Sequence, residues 1–81
     1  MSELEDGKQK FIEMVKAADP AVTVVIPTSS SNSLFLISLT RDKARKFITV
    51  SEDDILDILS DDLIHDEVED RIRETLSELK P

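Results

Sequence analysis

The chain has 81 residues, 40% of them apolar, with Phe11, Phe35 and Phe47 as its aromatic residues, no cysteine and a formal net charge of −8. A single small domain of residues 1–81 is expected, burying only about 60–65% of the surface its unfolded form exposes, around a core of Ile, Leu and Val. The missing cysteines exclude a disulfide scaffold and a thiolate-bound metal, and the negative charge argues against direct binding to nucleic acid or to an anionic membrane.

Asp6 followed by Gln9 has the form of a capping box. It opens a helix in which Phe11, Ile12, Val15 and Ala18 recur at helical spacing. Ser2-x-x-Glu5 offers an earlier start, but Gly7 weakens a helix running through it, so residues 1–6 are expected to fray. Asp19-Pro20 stops the helix, because a residue before proline is driven out of the α region. Residues 21–26, AVTVVI, are largely β-branched and read as a strand, with Val22, Val24 and Ile26 on one face. Pro27 ends the strand and starts a polar connection, residues 27–33, expected to be flexible. Residues 34–39, LFLISL, are apolar on both faces and belong in the middle of a sheet. Residues 40–44, TRDKA, turn the chain into a third strand, residues 45–50, with Ile48 and Val50 on one face and Phe47 on the other.

Ser51 is placed to cap a helix whose first turn, Glu52, Asp53 and Asp54, complements the helix dipole. Ile55, Leu56, Ile58 and Leu59 give this short helix an apolar face. Residues 60–62, SDD, interrupt it or cap the last helix, which runs to about Leu79 on the stripe Ile64, Val68, Ile72, Leu76 and Leu79. Glu67 with Arg71, and Glu69 with Arg73, are spaced as pairs one turn apart. The expected fold is α+β in the order α-β-β-β-α-α, a three-stranded antiparallel meander with helices packed mainly on one face.

Charge is unevenly spread. Residues 21–50 hold one acid against four bases, and residues 51–81 hold twelve acids against three bases. Asp53, Asp57 and Asp61 recur every four residues, as on one helical face, and Asp62, Asp66, Glu67, Glu69 and Asp70 extend the series. Carboxylates one turn apart lie about 6 Å from each other, close to the phosphate spacing of a nucleic-acid strand. Asp53, Asp57, Asp61, Asp62, Asp66 and Glu69 are therefore candidate contacts for a basic protein. The solvated-face reading accounts for the same acids as a means of solubility. DDILD, residues 53–57, matches an Asp-Asp-x-x-Asp pattern that holds magnesium in large helical prenyl-diphosphate enzymes. A chain of this size cannot enclose such a cavity, and no metal or other cofactor is expected. Arg41, Lys43, Arg45 and Lys46 cluster on the second hairpin, where cations blunt a sheet edge.

Residues 28–33 place Thr28, Ser29, Ser30, Ser31, Asn32 and Ser33 in a row. A phosphate cradle requires glycines, and the one glycine is Gly7. A serine nucleophile requires a neighbouring base, and the one histidine, His65, belongs beside Asp62 and Asp66. No catalytic residue is assigned, and a turn-forming polar loop is the simpler reading. The remaining signal is the sheet. If Val22, Val24, Ile26, Phe35, Ile37, Leu39, Ile48 and Val50 meet the helices, then Val25, Leu34, Leu36 and Phe47 face away from them. An apolar outer face calls for a partner or a second copy of the chain.

The order helix, three strands, helix resembles the double-stranded-RNA-binding domain in topology alone. That family binds RNA through a basic loop and a lysine-rich helix start, whereas the starts here are SEDD and SDDLIHDE, so RNA binding is not implied. Small acidic phage proteins that block DNA-binding nucleases share the order without a shared motif. The expected function is a cytoplasmic, non-enzymatic module that binds a protein, one with basic character or a second copy of itself. The alternatives are a nucleic-acid mimic that inhibits a basic DNA- or RNA-binding protein, and a small hydrolase using the serine loop.

Overall fold

A computed structural model describes residues 2–79. Its elements are α1 (Glu3–Ala18), β1 (Thr23–Val25), β2 (Leu34–Arg41), β3 (Ala44–Ser51), α2 (Glu52–Asp57) and α3 (Asp62–Ser77). The order is the α-β-β-β-α-α expected, with an open antiparallel sheet in which β2 lies between β1 and β3.

The first helix starts earlier than the Asp6–Gln9 pair suggests. Ser2 is the N-cap, its hydroxyl accepting the Glu5 N–H at 3.1 Å. Glu3–Asp6, where fraying is expected, form the first turn, with acids at the end of the helix where the dipole favours them. Gly7 is tolerated inside the helix because α1 and α2 approach closely there. A Cβ on Gly7 would run into the Ile55 carbonyl oxygen and stand 2.9 Å from the Ile55 carbonyl carbon and Cγ2. Phe11, Met14 and Val15 are buried along the inner face, while Ala18, expected on the apolar stripe, is exposed.

The sheet is longer and tighter in its second half than the sequence pattern suggests. β1 keeps only three of the six residues expected, since Val22 N–H turns back to the Asp19 carbonyl at 3.2 Å. The second hairpin closes with two residues, Asp42 and Lys43, between the paired Arg41 and Ala44. Asp42 takes a positive φ of 54° there. Residues 27–33, expected to be flexible throughout, end in a defined turn. Ser31 and Leu34 exchange backbone hydrogen bonds at 2.9 and 3.0 Å around Asn32 and Ser33, both at positive φ.

Alternation along β2 directs Phe35, Ile37 and Leu39 inward, opposite Val50, Ile48 and Lys46 of β3. Those three β2 residues, with Ile48 and Val50, join Phe11, Val15, Val22, Ile55, Ile58, Val68, Ile72 and Leu79 in one buried, mainly aliphatic cluster. The radius of gyration is 11.9 Å, close to the roughly 12 Å of a compact chain this long. α3 ends at Ser77, but Leu79 still folds back into the core at 1% exposure. Arg41 secures that closure. Its guanidinium donates to the Asp19 carboxylate at 2.7 Å and to the Leu79 carbonyl, joining the ends of α1, β2 and the C-terminal segment.

Candidate functional site

With the helices on one side of the sheet, its other side carries the side chains that alternation turns outward. Val25, Leu34, Leu36 and Phe47 are 58%, 44%, 56% and 55% exposed. Val25, Ser38 and Phe47 stand in one row across all three strands, because Val25 pairs with Ser38 and Ser38 with Phe47. Leu36, opposite Thr49, and Leu34, opposite Ser51, continue the apolar patch along β2. The register thus brings together the four residues that the sequence pattern assigns to the outer face. The row at the hairpin end is polar: Thr23, Thr40 and Arg45.

The acidic series is arranged differently from a single helical face. α2 stops at Asp57 and α3 starts at Asp62, so Asp53, Asp57 and Asp61 do not form one continuous row. The chain turns through Ile58–Ser60, and Ile58 is buried on the same face as Ile55 at 3% exposure. Asp61 instead caps α3, its carboxylate accepting the Leu63 and Ile64 N–H groups at 3.0 and 3.4 Å. Asp53, Asp57, Asp61, Asp62 and Asp66 are all exposed, and Glu69 lies 3.7 Å from Arg73 in the expected pair. The other expected pair is not made: Arg71 donates to the Thr49 carbonyl on β3 rather than to Glu67.

Two leucines near this bend are exposed: Leu63 lies in α3 off its apolar stripe, whereas Leu59 departs from the expected pattern. Leu59, expected on an apolar helix face, is 50% exposed, and Leu63 is 75% exposed. Both sit among the carboxylates of the α2–α3 corner. Nothing in the spacing of apolar residues separates Leu59 from Ile58; the break after Asp57 does so.

The cations divide by role. Arg41 is committed to Asp19 and the C-terminal segment, whereas Lys43, Arg45 and Lys46 enter no ion pair among the described residues. Asp19 is held below its ordinary carboxyl value of 3.8, first by the Ala21 N–H and then by Arg41.

The serine-rich turn contacts structural partners. Ser30 Oγ donates to the Glu52 carboxylate at 2.9 Å, and Lys8 Nζ donates to the Thr28 carbonyl at 3.3 Å while lying 4.9 Å from the Phe35 ring centre. His65 lies on α3, its Nδ1 3.4 Å from Asp66. Among the described residues no group of three or more His, Asp or Glu is arranged to hold a metal, and no helix is long and apolar enough to cross a membrane. Comparison of the chain with protein-family models, curated proteins and solved structures gave no match.

Proposed function

We propose that this chain is a non-enzymatic, cytoplasmic protein-interaction module whose partner docks on the outer face of the sheet. The observation that supports this reading is the uncovered patch of Val25, Leu34, Leu36 and Phe47, each between 44% and 58% exposed. A half-solvated antiparallel sheet ordinarily turns polar side chains outward. Contiguous apolar groups exposed to water are stabilised when a partner removes them from it, by roughly 25 cal/mol for each Å² covered.

The test compares partner capture by the tagged chain, by Leu36→Lys/Phe47→Lys and by Asp53→Asn/Asp57→Asn. Salt is set at about 0.1 M and then about 0.5 M, which shortens the screening length from about 10 Å to about 4 Å. Docking on the sheet predicts a protein retained at both salt levels and lost with the double lysine variant alone. A nucleic-acid-binding protein released by salt and by the asparagine variant would instead assign the function to the acidic corner, as a nucleic-acid mimic.

A further inference from the structure

We propose that the free edge of β1 takes up an extended segment of a partner protein as a fourth strand, seating alternate apolar side chains in the groove between β1 and α1. The edge is a different surface from the outer face, and its main-chain groups, not that face's side chains, carry the contact.

Register shows which main-chain groups are free. Two residues close the second hairpin, so Arg41 and Ala44 are a hydrogen-bonded pair, and every second pair along β2 and β3 is bonded likewise. Leu36 and Thr49 are then a non-bonded pair, which leaves the Thr49 carbonyl on the outer edge of β3, where Arg71 takes it. Carried across β2, the alternation makes Thr23 with Thr40, and Val25 with Ser38, the bonded pairs of β1. Val24 therefore turns its N–H and C=O away from the sheet. Ile26 is kept extended by the following Pro27 and presents its own N–H and C=O on the same side. It has no backbone partner among the described residues.

The two edges of the sheet differ in protection. β3 carries Arg45 and Lys46 and is overlaid by Arg71, devices that discourage a further strand. Residues 20–40, which contain β1, hold no charged side chain. The β1 edge also borders a groove of about 390 Å³, with Glu5, Gln9 and Ile12 of α1 on one side and residues 24–28 on the other. Lys8 fastens the second wall, donating to the Thr28 carbonyl at 3.3 Å. Ile12, Val24 and Ile26 are half-buried and give the groove its apolar lining. A helix, bonded within itself, leaves a row of free donors and acceptors unmet, whereas another extended main chain meets them and lays every second side chain in the groove. Those side chains rest against Ile12, Val24 and Ile26, and the others turn outward beside Val25. With β1 only three residues long, the added ladder has about four hydrogen bonds, to the N–H and C=O of Val24 and Ile26, so the segment it fits is short.

The probe is the peptide acetyl-Lys-Val-Thr-Val-Thr-Lys-amide, titrated to about 1 mM at about 0.15 M salt and followed in the amide spectrum of the labelled chain. It is expected to slow hydrogen exchange at Val24 and Ile26, whose N–H groups are open in the free chain. Two isomers carry N-methyl groups on both valines or on both threonines. One isomer turns its methyl groups to β1 and the other to solvent, so their affinities are expected to differ at least tenfold, the loss from blocking two main-chain hydrogen bonds. Weaker binding by the valine isomer marks an antiparallel strand. Val24→Pro, tolerated at an edge position whose N–H the sheet does not use, is expected to lose the peptide while keeping the dispersed amide spectrum of a folded chain. Leu36→Lys/Phe47→Lys is expected to bind it like the parent chain. Equal affinity of the two isomers, or no binding by about 1 mM, overturns the inference. A peptide lost with the double lysine variant but kept by Val24→Pro overturns it and leaves the outer face as the docking site. Protection of Val24 that grows with protein concentration in the absence of peptide gives the edge to a second copy and likewise overturns it.

Discussion

A methyl group on Gly7 has no room, and that one side chain governs how α1 and α2 pack. In isolation alanine is the better helix former by about 1 kcal/mol, yet the Ile55 backbone occupies the place its Cβ would take. Gly7→Ala is therefore expected to destabilise the fold by about 1–3 kcal/mol, the usual cost of overpacking, measured by urea unfolding. In the sequence Gly7 reads as a weak point in a helix, because a close approach by a residue 48 positions away leaves no local trace. Asp19 is a second case. Its carboxyl value is lowered by the Ala21 N–H and by Arg41, so its contribution to stability is complete above the unfolded-state value and is lost as pH falls through the lower folded one. Asp19→Asn should melt below the parent chain at pH 7, and the two melting temperatures should converge as pH falls below the lowered folded-state value. Asp19 is legible beforehand as a helix stop before Pro20, while its partnership with Arg41 joins residues 22 apart in sequence.

At the scale of elements, β2 was the most legible. Its apolar pattern on both faces requires a central strand, and the structure seats it between β1 and β3. Leu36 and Ile37 are neighbours on opposite faces, at 56% and 0% exposure. Ile37→Ala is expected to cost about 3 kcal/mol through lost burial and a cavity, and Leu36→Ala less than about 1 kcal/mol, by chemical denaturation of each variant. Equal losses would mean that the outer face is covered within the chain. Helix boundaries were less legible. A four-residue spacing of acids continues through Asp61, but α2 ends at Asp57, and Asp61 takes extended backbone and caps α3. Regular spacing records what a continuous helix would display, and tertiary packing decides whether it continues. The same competition explains Arg71, whose guanidinium finds an unpaired carbonyl on β3 instead of the neighbouring Glu67.

For the whole molecule, the separation of charge in the sequence becomes a separation of surfaces. The basic middle of the chain forms a sheet whose outer side is apolar, and the acidic third forms helices on the other side. The apolar half of the candidate site could be read from strand alternation alone. The acidic corner was only partly legible, since Leu63 lies off the apolar stripe in the sequence whereas the exposure of Leu59 follows from the end of α2 at Asp57. The measurement that tests the account most directly is site-specific photo-crosslinking in lysate, with a benzophenone side chain at position 36 or 47 and, as control, at position 53. Docking on the sheet predicts protein adducts from positions 36 and 47 that persist at about 0.5 M salt, where ionic contacts are screened within about 4 Å. Adducts from position 53 alone, with none from the sheet, would contradict the account and transfer the function to the acidic corner.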